Sequence, residues 1–296
     1  MQRLLRPSAQ AWPYSQALWA TLAAARVHAA PAGDLGRRIA GLAAYGRGGG
    51  YAPTPGGSGG LYFDDNLWIA LALERAGAPT GTVRRLFALV ASGWDAAPGH
   101  PCAGGVFWAR GVRNADRNAV TTANAALLAA RLYARTGDLR EVAWARRAFA
   151  WTERCLGRGD GLVADHIRLD GSVDRRAWSY NQGSMIAAAL GLYRAVCDPR
   201  YLRDAERRAD AALEAYADAD AAREPPVFLA IFYRRLLALD RLDHDRARDR
   251  AAAAAFAERA WREARDPRTG LFDFGAGPTL LDQAAMVQLE AALARS

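Results

Sequence analysis

The chain has 296 residues, 51% hydrophobic and 24% charged, with a formal net charge of +8. That length buries one large core or two modest ones, and no apolar run nears the roughly 20 residues of a membrane-spanning helix. The positive charge is arginine, since lysine is absent; pairs such as Arg146-Arg147 and Arg207-Arg208 are interleaved with acids, which reads as solvated helix faces rather than a nucleic-acid-binding run.

Alanine is abundant and runs of Val, Ile and Thr are scarce, so an all-α chain is expected. After an N-terminal arm (1–11), apolar spacing and Gly/Pro punctuation predict eleven helices. The first runs from Tyr14 to Ala30; its segment Ala17 to Ala25 is short, ends at Arg26 and reads as a helix rather than a signal peptide. Asp34 to Tyr45 follows, then a Gly/Pro/Ser-rich stretch from Tyr51 to Gly60. Asp64 to Ala76 and Thr80 to Trp94 come next, followed by a long loop, Asp95 to Asp116.

Ala119 to Arg135 ends in Thr136-Gly137, and Asp138 caps a helix reaching Cys155. Gly157 to Ala177 is a loop with two Asp-Gly turn signals. Asn181 to Val196 is the seventh helix, and Asp198-Pro199 opens the eighth as cap and first-turn proline. Pro225-Pro226 to Leu239, Asp243 to Arg265 and Pro278 to Arg295 complete the set.

Helices thus come in pairs joined by short turns, and successive pairs are separated by long loops rich in glycine and aromatic residues. Loops of that length are usually functional. The four long ones (51–63, 95–116, 157–177 and 266–277) fall on one side of the pairing. Antiparallel pairs laid round a ring put them on one face, which is the geometry of an (α/α)₆ barrel formed as a single domain over 1–296.

One stretch in those loops carries chemistry: Leu61-Tyr62-Phe63-Asp64-Asp65-Asn66-Leu67-Trp68. A lone Asp at a helix start is ordinarily an N-cap. Two adjacent aspartates fit that account less well, because only one can cap. Like charges held among Tyr62, Phe63 and Trp68 push one carboxyl toward the protonated form. One ionised and one protonated carboxyl is the pairing that glycoside hydrolysis needs, and flat aromatic faces suit a sugar.

Cys102, Cys155 and Cys197 are an odd number without CxxC spacing, and are expected to be free thiols in a reducing compartment. A cytoplasmic location is therefore expected. Four scattered histidines without HExxH give no metal site, and His166 reads as a loop residue. No cofactor, nucleic acid or membrane insertion is expected, and the state expected is a monomer.

The ordered motifs resemble glycoside hydrolase family 76, the α-1,6-mannanases. Tyr62 to Trp68 resembles its aspartate-pair motif. Trp94, Cys102 and Gly104-Gly105-Val106-Phe107-Trp108 resemble its W…C-x-G-G-x-x-W segment. Gly161 to Asp165 resembles a loop bearing a third aspartate, and Trp178-Ser179-Tyr180-Asn181-Gln182-Gly183 a motif that starts a barrel helix. Departures stand at Ile69, Thr121-Thr122-Ala123 and Phe228 to Phe232.

The resemblance spans about Trp12 to Leu293. It implies a retaining hydrolase of α-1,6-linked mannose-containing oligosaccharides or polysaccharides, on an (α/α)₆ barrel without metal or cofactor. Asp64 would be the nucleophile and Asp65 the acid/base. Tyr62, Asn66, Trp68, Trp108, Asp165, Trp178, Tyr180, Asn181 and Gln182 would line the substrate, with Trp94 a further stacking face. The alternatives are a silent barrel that binds glycans or a protein partner, and a sugar epimerase or isomerase on the same fold.

Overall fold

The computed structural model describes residues 9–111, 114–216, 224–243 and 245–295; residues 1–8 of the N-terminal arm lie outside them. Eleven α-helices form among the described residues, in the order expected: α1 (Ala11–Arg26), α2 (Asp34–Gly41), α3 (Phe63–Arg75), α4 (Thr80–Ala91), α5 (Ala119–Thr136), α6 (Leu139–Leu156), α7 (Ser179–Val196), α8 (Pro199–Ala215), α9 (Pro226–Asp240), α10 (Ala247–Glu263) and α11 (Leu280–Leu293). A 3₁₀ turn, Leu42–Tyr45, extends α2.

The odd-numbered helices pack side by side in a closed ring, with α11 returning to α1. The even-numbered helices lie outside, α4, α6, α8 and α10 each against both inner helices adjoining it and α2 against α1. Composition explains the division. In α5 every residue from Ala119 to Ala130 is buried, as an inner helix requires. Outer α8 instead buries a narrow stripe, Ala205, Arg208, Ala209 and Ala212, and turns its other charges outward. Small residues let inner helices approach: a Cβ at Gly183 of α7 would lie 2.9 Å from Phe232 Cα of α9. This is the (α/α)₆ barrel that the loop pattern predicts, with all six inner N-termini at the long-loop end.

Asp138 and Asp198 cap α6 and α8 as expected, accepting from the Arg140 and Arg200 amides. Asp64 and Asp65 do not cap α3. Its N-cap is Tyr62, without a side-chain cap bond, and both aspartates lie within the first turn. The long loops also hold short strands that the sequence concealed. β1 (Gly46–Arg47) and β2 (Gly50–Tyr51) form a hairpin, while β3 (Asp116–Asn118), β4 (His166–Arg168) and β5 (Val173–Asp174) form an antiparallel sheet. Two or three residues show no readable alternation, so these segments look like loop.

Polar side chains at the fourth residue of inner helices fasten these loops. Asn66 of α3 accepts from the Tyr51 amide at 2.8 Å and donates to the carbonyls of Tyr51 and Tyr62. Gln182 of α7 does the same with the Val163 amide and the carbonyls of Val163 and Trp178. Gln283 of α11 repeats it with Phe272 and Thr279, and Thr122 of α5 accepts from the Val106 amide at 3.0 Å.

The loop from 95 to 116 has two further anchors. Fully buried Arg117 pairs with Asp95 at 2.7 Å and donates to the carbonyls of Pro101 and Arg168. Cys102 is disulfide-bonded to Cys155 of α6. That corrects the expectation of three free thiols: Cys197 alone is free, and exposed. An odd count in sequence hides a pair that meets only when the loop folds over α6. Gly105, at φ 78°, lies on Trp151, where a Cβ would come within 2.4 Å of the indole.

The disulfide joins residues 53 apart in sequence, and chain entropy gives such a link about 4 kcal/mol. Replacing both Cys102 and Cys155 by serine is expected to lower unfolding free energy by about 2–4 kcal/mol in urea titration. An unchanged midpoint would mean that the bond does not form in solution.

Candidate active site

The first turn of α3 places the aspartate pair at the mouth of the ring. The Phe63 amide donates to the Trp108 carbonyl at 2.8 Å, and the Phe63 ring leaves no room for a Cβ at Gly93, which would lie 2.4 Å from it. With its start fixed on two sides, α3 projects Asp64 and Asp65 from consecutive positions about 100° apart around its axis.

Both carboxyls are raised well above the ordinary carboxylate range. Burial pushes Asp65 up to about 8, and the neighbouring Asp64 charge adds to the rise. Burial also lifts Asp64, to about 6, but the Trp108 side chain and the amides of Asp65 and Asp64 oppose it by favouring the charged form. Asp65 therefore holds its proton more tightly than Asp64. Asp64 Oδ1 is enclosed and has no hydrogen-bond partner in the protein.

Three loops bring the rest of the site to this pair. Trp108 is 43% exposed and packs at 4.9 Å against Tyr62, so both rings border the cleft. The sheet carries Asp165 beside the start of α7, where Asn181 Nδ2 donates to Asp165 Oδ1 at 2.8 Å. Tyr180 stacks at 4.1 Å on Phe228 of α9. Its phenol is held far above its ordinary range by burial, then by the nearby Asp165 and Asp64 charges. Trp178 stands at the edge, touching Phe228 and the Arg176 guanidinium.

The structure thus gathers Tyr62, Asp64, Asp65, Trp108, Asp165, Tyr180 and Asn181, with Trp178 at the rim. Four residues expected to line or stack on the substrate do other work. Trp68 is 1% exposed and packs in the core at 5.5 Å from Trp12, so it offers no stacking face. Asn66 and Gln182 are buried with their amides taken by loop backbone. Trp94 packs against Trp144 and carries the Arg147 guanidinium on its ring.

Sequence reasoning missed Asp116, on β3, whose charge bears on Asp64 and whose own carboxyl is raised first by burial. Phe228 stands in the sequence reading only as a departure from the family pattern, and His166 only as a loop residue. The latter is buried on β4, with Nδ1 at 2.9 Å from Asp165 Oδ2 and Nε2 unpartnered. That contact raises its pKa above the ordinary imidazole value. The only available signal was adjacency to Asp165.

Asp165, His166 and Asp174 each bring one potential ligand atom within 4.8 Å of the others. Asp165 is already engaged by His166 and Asn181, and Asp174 by Arg176. These hydrogen bonds and the ion pair fit a polar network better than a metal centre. Asp64 Oδ1, Asn181 Oδ1 and His166 Nε2 remain as buried polar atoms with no protein partner, on residues that adjoin the cleft. Such atoms await polar groups of a ligand or water.

Residues 6–271 match the family model described as glycosyl hydrolase family 76. No curated protein matches the sequence. Among solved structures, a family 76 mannosidase of Bacteroides thetaiotaomicron superposes with a TM-score of 0.81 at 22% identity, covering 97% of this chain and 88% of that one. The α-1,6-mannanase of a Salegentibacter species gives 0.77 at 21% identity over 96% and 89%. An inactive variant of that mannanase, with two adjacent aspartates changed to asparagine, is known in complex with α-1,6-mannotriose; it gives 0.76 at 20% identity, again over 96% and 89%.

The raised Asp65 carboxyl carries a stability consequence. Because its folded pKa lies above its unfolded value, the stability it contributes is full below the ordinary carboxylate range and is lost as pH rises through about 8. Asparagine does not titrate. Asp65→Asn is therefore expected to raise the melting temperature relative to the parent, more at pH 9 than at pH 5. An equal effect at both values would mean that Asp65 is not held protonated.

Proposed function

The chain belongs to glycosyl hydrolase family 76, and from that premise we propose a retaining hydrolase of α-1,6-linked mannose-containing glycans, with Asp64 as nucleophile and Asp65 as acid/base. One observation carries the assignment of roles: Asp65 holds its proton more tightly than its neighbour, while Asp64 keeps an enclosed, unpartnered oxygen. At neutral pH the pair then consists of one carboxylate and one carboxylic acid, the complement that retention requires. The Salegentibacter mannanase, inactivated by changes at two adjacent aspartates and solved with mannotriose, supports the reading by analogy.

In the first step an Asp64 oxygen attacks the anomeric carbon as the glycosidic bond breaks. The Asp65 proton passes to the departing oxygen, which leaves as an alcohol. A glycosyl ester on Asp64 and an ionised Asp65 result. Asp65 then takes a proton from water, the water oxygen attacks the anomeric carbon, and Asp64 leaves as carboxylate. Trp108 and Tyr62 supply apolar faces at one side of the cleft, and Tyr180 with Asn181 and Asp165 supply polar contacts at the other. Neutralising Asp65 during the ester's lifetime is unnecessary, because Asp64 is then uncharged.

The Cys102–Cys155 bond suits an oxidising compartment, so we place the working protein there rather than in the cytoplasm expected from the cysteine count.

Three measurements test the mechanism. Proton NMR of the first product from an α-1,6-mannooligosaccharide should show the α-anomer before mutarotation; an initial β-anomer would remove Asp64 as nucleophile. The pH profile of kcat/KM should be bell-shaped, falling below about 6 as Asp64 gains a proton and above about 8 as Asp65 loses one. Asp64→Asn and Asp65→Asn should each cost about 10³-fold or more on an unactivated substrate. Retention of near-parental rates by either variant would overturn the pair.

A further inference from the structure

The opposite end of the ring holds a cavity of about 460 Å³, with no part in the chemistry above. It opens where the inner helices finish. Among the described residues its lining includes nine arginines and one carboxylate, Glu74, which is already paired with Arg131 at 3.0 Å. Arg235 of α9 is only 8% exposed, and its Nε and Nη2 are enclosed with no partner. Arg234 beside it likewise has Nε and Nη2 enclosed and unpartnered, with its guanidinium 5.4 Å from the Trp19 ring centre.

Compensation of the helix ends explains part of this charge. Six inner helices point their C-termini here, each worth about half a negative charge. Some arginines serve that end directly: Arg26 donates to the Arg75 carbonyl and Arg135 to the Ala78 carbonyl. Six such ends supply about three negative charges in all, well short of the guanidiniums present. Nor do they supply partners for the enclosed nitrogens of Arg234 and Arg235. Guanidinium remains charged in proteins, and an enclosed charge without a partner is strongly unfavourable. Burial and mutual repulsion press the Arg235 pKa well down, the effect of neighbouring Arg234, Arg131, Arg75 and Arg194 adding to it.

We propose that this cavity binds a soluble, multiply charged phosphate-bearing small molecule, held by Arg234 and Arg235 at its floor and by Arg131 and Arg194 nearer the mouth. The planar fork of guanidinium matches two phosphate oxygens at once. The volume falls in the range of small-ligand sites, and its concavity favours a compact anion over an extended surface. Asp65 and Arg75 lie on the same helix about 15 Å apart, so the two sites sit at opposite ends of α3.

Calorimetric titration of the full chain with sodium pyrophosphate, against sodium chloride at matched ionic strength, tests the site. Saturable one-to-one binding is expected, with the melting temperature rising as pyrophosphate is added. The double variant Arg234→Met, Arg235→Met should abolish binding. Arg194→Gln, which leaves the floor intact and lies at the exposed rim, should weaken it by about tenfold, and decides the question if the double variant fails to fold. Heats no different from chloride, or unchanged affinity in Arg194→Gln, would overturn the proposal. Binding to vesicles containing phosphatidic acid without binding to pyrophosphate would overturn the assignment to a soluble ligand.

Discussion

The mouth of the barrel depends on amide side chains that complete the hydrogen bonding of loop backbone. A long loop crossing the buried end of six helices carries N–H and C=O groups away from water, and each left unpaired costs about 1–3 kcal/mol. Asn66, Gln182 and Gln283 each occupy the fourth position of an inner helix and meet one loop residue's N–H and C=O together. Each also donates to the carbonyl four residues earlier in its own helix entry. Helix start and loop are thereby locked in one register. Thr122 makes a shorter version on α5. Replacing one of these amides with an apolar residue orphans two or three backbone groups at once, which is why a buried amide governs where the residues of the attached loop sit.

The parallel inner helices also give the barrel an electrical axis. Their N-termini converge on the carboxylates and their C-termini on the arginines, the arrangement that helix dipoles favour. Favourable dipoles lower a carboxyl pKa, yet Asp64 and Asp65 are both raised. The magnitudes decide it. A dipole contributes about 0.3–1 kcal/mol in ordinary settings, whereas burial beside a like charge shifts a carboxyl by several pKa units. The Trp108 side chain and the amides of Asp64 and Asp65, which favour the charged form of Asp64, separate the two aspartates; burial sets the level of both.

Punctuation made the helices legible. Asp138, Asp198-Pro199, Gly137 and Pro225-Pro226 mark boundaries that the structure reproduces within a few residues, because capping is local chemistry. What failed to show was non-local. Cys102 and Cys155 meet only through the folded loop. Asp116 reaches the aspartate pair through a three-residue strand whose partner lies about fifty residues on. Phe228 joins the cleft by stacking on Tyr180 from the next inner helix. One tryptophan misjudged stands inside a helix: Trp68, within α3, is core, whereas Trp108, in a loop, is exposed.

Helical rotation explains why one short motif performs three tasks. Successive residues turn about 100° around α3, so neighbours in sequence face different surroundings. Tyr62 packs on Trp108 before the helix begins. Asp64 and Asp65 face the cleft. Asn66 turns toward the β1–β2 hairpin and grips Tyr51. Trp68 turns into the core, where its carbonyl also accepts from the Trp19 indole at 3.1 Å. Carboxylate, fastening and packing residues therefore alternate within two turns. The carboxylates owe their positions to the residues immediately after them, and the motif must be kept whole because no single task in it is separable from the other two.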